Sequence, residues 1–386
     1  MAAEAPAVRA PRARPEWVDT LTTQLLALVG AFLFAAVTGG IIIALYGENP
    51  LFVYSTVWRF STARPQDFAK VLENATPLIF SGLAVAVAFK AGLFNIGVEG
   101  QYLVGMVTAT TAAVFLDFLP GPLHLPAVIL AAMAGSTVWA AVPAVLKVKT
   151  GAHEVVTTIM MNGIAVSLLA WALNNPLRTT ERGFLDLRSD RFEESALVPR
   201  LADSLGLGEQ IPSSVYLSWL FPLAILACAL VWFLLHRTRL GYGIRAVGLS
   251  PGTAEAGGIS IGGTQLKVFL ISGALAGFVG LNHLLVDAGF LGINYETLLG
   301  FTGIAVAFLG RNHPAGIVLA AILFGILSRG EDGLAVSTDL PREIVIILQG
   351  LLILSVVIAY EITRRILLRR RQRLVRGEEG ADSAAA

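Results

Sequence analysis

Ten apolar runs succeed one another along the 386-residue chain, near residues 21–46, 71–89, 92–116, 127–146, 155–174, 215–235, 264–286, 297–309, 314–328 and 343–362. A helix needs roughly 20 apolar residues to cross a hydrocarbon core about 30 Å thick. Inside that core each backbone N–H and C=O must find its partner within the protein, and helices meet the requirement at these lengths. The pattern therefore predicts an all-α, polytopic integral membrane protein with about ten transmembrane helices. Composition agrees, since only 14% of the residues are charged and 55% are hydrophobic, whereas a soluble domain carries about 25% charge. Cys228 is the one cysteine, so no disulfide can form within a chain and helix packing must hold the fold.

The first run exceeds the roughly 7–15 apolar residues of a cleaved signal and reads as an uncleaved span after a tail, residues 1–20. Positive charge then sets the topology. Arg9, Arg12 and Arg14 precede the first span. Lys90, Lys147, Lys149, Arg237, Arg239, Arg245 and Arg311 fall in alternate short loops, and seven arginines between Arg364 and Arg376 follow the last span. The opposite loops, 117–126 and 287–296, have no lysine or arginine. Both termini are thereby expected in the cytoplasm, around a transmembrane domain at 21–363. The tail at 364–386 reads as a basic helix extension on anionic lipid, then disorder. Runs 297–309 and 314–328 are short for full crossings; two short spans kept in the protein interior are expected, with a re-entrant pair as the alternative. PAVILAAMAG at 126–135 resembles PAGIVLAAILFG at 314–325, which is what an inverted five-helix repeat would leave.

Polar residues inside apolar runs are costly, about 2.5–3.5 kcal/mol for a charge, and are kept where a partner or cavity accepts them. In FKAGLFNIGVEGQ, Asn95 and Glu99 share a helical face, followed by Gln101, while Gly92, Gly97 and Gly100 interrupt the helix and permit close backbone approach. This predicts a broken helix facing the protein interior. Glu99 either locks helices together through a backbone amide or a lysine, or touches a transported solute; both readings stay open. In HEVVTTIMMNGIA, Glu154, Thr158 and Asn162 form a second polar stripe. It is either a solute-facing wall or a hydrogen-bonded seam between helices. His153-Glu154 begins like a zinc motif, but Thr157 stands where the second histidine is needed, so no metal is expected. Gly273 and Gly277 mark a close-packing face, and His283 with Asp287 lies near its outer end. No P-loop, nucleophile elbow or metal cluster occurs, so no enzyme activity or cofactor is expected in this chain.

The loop 236–263 carries the most specific signal. Ser250 suits an N-cap, Pro251 the first helical position, and Gly257 with Gly258 a helix end. Such a helix spans about six residues, too few to be stable alone in water. It makes sense as an element that docks into a groove of another protein.

RAVGLSPGTAEAGGI resembles the coupling-helix segment of permease subunits in ATP-binding-cassette importers of the ribose/branched-chain amino acid class. GLFNIGVEGQ, HEVVTTIMMNGIA and GFTGIAVAFLGRNHPAGIVLAAILFG are similar to its nucleoside and simple-sugar branch, so that the resemblance covers about residues 70–360. It implies a multi-pass permease of the bacterial cytoplasmic membrane. Its implied partners are a second, similar permease (a heterodimer), a cytoplasmic ATPase that holds ATP and magnesium, and an external substrate-binding lipoprotein; no nucleic acid is expected. It places Arg245, Gly248, Pro251, Ala254, Gly258 and Ile259, with Ser250, on the ATPase-coupling segment. Asn95, Gly97, Glu99, Gly100 and Gln101 fall on the membrane motif, and Asn95, Glu99, Gln101, Thr158 and Asn162 are the expected substrate pathway. The chain departs from the family pattern at Gly252, Thr253 and Glu255, where acid, alanine and base are common, which leaves the charge pairing with the ATPase open. Nucleosides are the expected solute. Ribose-type sugars, branched-chain amino acids, and an ion-coupled secondary carrier are the alternatives.

Overall fold

The computed structural model describes residues 16–179, 186–208, 211–338, 340–341, 343–356, 358–359, 362–363 and 365. The basic tail predicted at 364–386 lies almost wholly outside the described residues, as does most of the tail at 1–20. The described residues are helical, without a β-strand; isolated bridges join Arg188 to Gly292 and Arg200 to Ser218.

The helices are α1 (Glu16–Leu45), α2 (Pro50–Thr62), α3 (Pro65–Lys90), α4 (Val98–Phe115), α5 (Gly121–Thr150), α6 (Glu154–Asn174), α7 (Leu201–Ser204) and α8 (Leu220–Arg237). They continue as α9 (Arg239–Leu249), α10 (Pro251–Ala256), α11 (Ile261–Ala276), α12 (Leu299–Leu309), α13 (Pro314–Ser337) and α14 (Glu343–Val356), with a π-helical turn at His283–Ala288. The chain divides into two compact units, Met1–Pro50 with Ile346–Ala386, and Leu51–Val345. Among the described residues α3, α5, α6 and α8 are long and apolar enough to cross a membrane, or five spans if α1 and α2 are counted as one. Shorter apolar helices form at Ile261–Ala276 (α11), Leu299–Leu309 (α12) and Glu343–Val356 (α14). PAVILAAMAG begins inside α5 at Pro126, whereas PAGIVLAAILFG opens α13 at Pro314, so the two similar segments occupy different places in their helices.

In the second unit α3 is the axis. Its sequence PLIFSGLAVAVAF is apolar on every side, the signature of a helix enclosed by protein, and 89% of its apolar window is buried against 22–33% for α5, α6 and α8. α13, α12, α11 and α8 pack around it. Phe80 of α3 stacks on Phe278, ring centroids 4.8 Å apart. α4 runs beside α5, α6 and α11.

Two features lie outside the apolar-run reading. α2 is a short helix that packs on α13, where the Ser61 hydroxyl donates to the Ile326 carbonyl at 2.8 Å. α13 continues nine residues past the run that ends at Ser328, through Arg329, Glu331 and Asp332. The charges are tolerated there because Arg329 pairs with buried Asp67 of α3 at 3.0 Å and with Asp332 at 2.8 Å. Arg64 completes the cluster, 2.8 Å from Asp67.

Small residues set the helix spacing. A Cβ on Gly273 would stand 2.6 Å from Ala140 Cβ and 2.9 Å from the Ser136 carbonyl, and one on Gly277 would stand 2.8 Å from both the Ala132 carbonyl and Met133 Cα. Backbone of α5 cannot retreat from such contacts without disturbing its own hydrogen bonds. Gly277→Val should therefore cost ~1–3 kcal/mol by overpacking, seen as a lower unfolding midpoint in detergent. Gly163→Ala, with no neighbour within 4 Å, should leave that midpoint unchanged or raise it.

Candidate functional site

The glycine-rich stretch between α3 and α4 is the break anticipated from its sequence. Gly92 sits at φ +71°, a conformation costly for other residues, and α4 does not start until Val98. Asn95 organises the turn. Its Oδ1 accepts from the Gly97 N–H (3.1 Å) and the Gln101 amide (3.0 Å), while its Nδ2 donates to Gln101 Oε1 (3.1 Å) and to Ser272 Oγ on α11 (2.8 Å). Ser272 in turn donates to the Ala84 carbonyl of α3 at 2.6 Å. One buried amide thus ties α3, α4 and α11 together.

The first amides of α4 have no partner in their own helix, and α6 supplies one. Asn162 Oδ1 accepts from the Gly100 N–H at 2.9 Å, and its Nδ2 donates to the Ile96 carbonyl at 3.1 Å. This works because Gly97 and Gly100 lack side chains: a Cβ on Gly100 would lie 2.8 Å from Asn162 Oδ1, and one on Gly97 3.1 Å from Thr158 Cβ. Thr158 donates to the Glu154 carbonyl of its own helix at 2.7 Å. Glu154 forms an ion pair with Lys147 at 2.8 Å.

Glu99 repeats the device one helix further on. Its Oε1 accepts from the Leu298 N–H at 2.7 Å and its Oε2 from the Gly300 N–H at 2.8 Å, which caps the N-terminus of α12 from a residue about 200 positions earlier. The Tyr102 hydroxyl lies 2.9 Å from Glu99 Oε1 and 2.9 Å from the Glu296 carbonyl. A carboxylate removed from water costs several kcal/mol unless paired or hydrogen-bonded; here amide donors and the positive end of a helix dipole offset that cost. Gly300 is required for the approach, since a Cβ there would stand 2.7 Å from Glu99 Cα. Asn95, Glu99, Gln101, Thr158 and Asn162 are all buried, and each has intramolecular partners. Tyr102 and the α12 amides were not singled out by sequence: a tyrosine in an apolar run carries no signal, and a backbone amide carries none at all.

At the other site, the loop forms α9 and α10. The Ser250 side chain caps α10 by accepting from the Thr253 N–H at 3.4 Å. Gly258 at φ +79° closes it, with the Ile259 N–H on the Ala254 carbonyl (3.0 Å) and the Gly258 N–H on the Glu255 carbonyl (2.9 Å), a Schellman end. Gly248 lets α9 rest directly on the carbonyl of Lys90 at the end of α3. Arg245 lines a cleft between α9 and α10. His283 and Asp287 pair at 3.3 Å in the π-helical turn, where the imidazole holds the Asp287 carboxyl below its usual range. No group of three or more metal-ligating side chains occurs among the described residues.

The branched-chain amino acid transport system / permease component family model matches residues 68–357, which is most of the chain. The chain belongs to this permease family. The guanosine ABC transporter permease protein NupP of Bacillus subtilis (strain 168) is 34% identical over 354 residues, covering 89% of this chain and 96% of NupP. The glucose ABC transporter permease protein TsgB13 of Haloferax volcanii is 32% identical over 346 residues, covering 90% and 89%. A second guanosine permease protein of the same Bacillus, NupQ, matches at 29% over 259 residues, covering 66% of this chain and 78% of NupQ. The permease family model spans the α3–α4 break, the α12 cap and the α9–α10 loop alike.

Asn162→Ala should strand the Gly100 N–H and the Ile96 carbonyl at a cost of roughly 1–3 kcal/mol for each buried group, read as a loss of thermal stability in detergent. Glu99→Gln should cost about 1–3 kcal/mol, because an amide nitrogen would meet a backbone N–H; Tyr102→Phe should cost less than Glu99→Gln.

Proposed function

We propose that this permease is the transmembrane subunit of an ATP-binding-cassette importer that passes nucleosides across a bacterial cytoplasmic membrane. The observation that carries the reading is the close match to NupP over nearly its whole length, joined to a short, doubly capped helix on the exposed loop 236–263. α10 has too few residues to persist by itself, and its caps hold it ready for a partner. ATP and magnesium would be bound by a separate cytoplasmic ATPase, since the chain has no P-loop. A second permease would complete the pathway, in keeping with the two guanosine permease proteins, NupP and NupQ, of one organism. An external binding lipoprotein would deliver the solute, and both termini would lie in the cytoplasm around about ten crossings arranged as an inverted repeat.

Within this scheme Asn95, Glu99, Gln101, Thr158 and Asn162 border the substrate pathway and shape it by fixing the broken ends of α4 and α12. Ser250, Gly248, Ala254, Gly258 and Ile259 form the coupling knuckle, and Gly248 joins it to α3. ATP hydrolysis would move α10, α9 would push on α3, and the cavity would turn from outside to inside by rigid-body rocking. A proton-coupled carrier is disfavoured by Glu99, whose oxygens are already committed to backbone amides. Sugars remain the second reading, on the strength of TsgB13.

Uptake by vesicles containing the assembled transporter tests both levels. Uptake should require ATP, ignore a proton gradient in wild type and Glu99→Gln alike, and be competed by nucleosides ahead of glucose, ribose or leucine. Uptake driven by a proton gradient without ATP would overturn the importer reading; competition by sugars alone would overturn the nucleoside assignment.

A further inference from the structure

The cleft between α9 and α10 has a volume of about 420 Å³ and is lined by Tyr242, Arg245, Leu249, Thr253, Gly257 and Ile259 among others, none of them acidic. Leu249 is 87% exposed and Tyr242 63% exposed at its rim. Tyr242, Arg245 and Leu249 stand three and four residues apart on one face of α9, while Ile244 and Val247 on the opposite face are buried. Arg245 Nε is shielded from solvent and has no hydrogen-bond partner among the described residues. A buried guanidinium donor without an acceptor is costly. An incoming acceptor would recover that cost.

The surroundings fix the sign of that acceptor. Lys90 at the end of α3 and Arg311 in the α12–α13 turn lie within electrostatic reach of one another, and Lys90 within reach of Arg245. Burial first, and then the neighbouring His236 and Lys90, hold the His313 imidazole below its ordinary pKa. Glu255, the one acid on α10, is exposed and is not part of the cleft. The residues of α10 itself therefore offer no cation for a partner to pair with.

We propose that the cleft receives an acidic side chain of the cytoplasmic ATPase, its carboxylate bonded to Arg245 and its apolar neighbours seated between Tyr242 and Leu249. The proposal rests on the importer reading above and deepens it. α10, PGTAEA, carries no cation, and Arg245 of the preceding helix supplies one. Geometry gives the contact a mechanical use: α9 abuts the Lys90 carbonyl through Gly248, so force on Arg245 passes to the end of α3 and the break at Gly92. An arginine suits the task, because its planar fork meets a carboxylate through two donors and remains charged when desolvated.

The test uses the assembled transporter in nanodiscs of neutral phosphatidylcholine, which removes anionic lipid as a competing occupant. In R245K, a zero-length carbodiimide should couple the new amine to an Asp or Glu of the ATPase, identified by mass spectrometry of the linked peptide. R245Q should weaken ATPase binding roughly 30-fold or more and flatten its salt dependence, whereas E193Q, an exposed acid outside the loop 236–263, should leave both unchanged. Coupling of the R245K amine only to carboxylates of this chain, or to none while the ATPase stays bound, would overturn the proposal. So would ATPase binding by R245Q indistinguishable from wild type. Failure of the wild-type permease to hold any ATPase would instead overturn the importer reading itself.

Discussion

Interrupted helices in an apolar interior create a problem that everything else in this permease accommodates. Each break exposes amides that water would satisfy in a soluble protein and that hydrocarbon cannot. The chain answers with side chains from neighbouring helices: Asn162 of α6 serves the start of α4, and Glu99 of α4 serves the start of α12. Asn95 serves the turn between α3 and α4 from within it, accepting from the Gly97 N–H and donating to Ser272 of α11. Because Asn162 and Glu99 each belong to a different helix from the one they serve, local geometry and helix packing are determined together. Moving one helix alone would bare polar groups in the next.

Glycine makes the arrangement sterically feasible. Gly97 and Gly100 admit α6, Gly300 admits Glu99, and Gly273 with Gly277 admits the backbone of α5. Without a strong hydrophobic drive between helices in lipid, such close approach is what dispersion and hydrogen bonding need in order to act. The lone cysteine is consistent with this, since no covalent staple contributes within the chain.

Much of the helix pattern was legible from hydropathy, because a dry solvent leaves the backbone few choices. The α3–α4 break was visible in Gly92, Gly97 and Gly100, and α10 was visible in Ser250, Pro251 and Gly258, each through a conformational preference of the residue itself. What escaped were features made by contact at a distance. α13 outlasts its apolar run because Arg329 finds Asp67 some 262 residues away, and no local window contains both. α2 is short and flanked by polar residues, so a span-length search passes over it. Glu99 stood out as an acid in an uncharged stretch, yet the Leu298 and Gly300 amides that it caps lie about 200 residues further along, beyond any local window.

The direction of the caps along the chain has a consequence for biogenesis. Synthesis runs from the N-terminus, so Glu99 is already in place when α12 leaves the ribosome, and α12 meets a prepared acceptor. α4 has the reverse experience: Asn162 is made more than sixty residues after Gly100, and until α6 arrives the newborn helix holds bare amides. The nascent α3–α4 hairpin is thus an unfinished object, to be sheltered by the insertion machinery or kept near the aqueous interface until its keystone is translated.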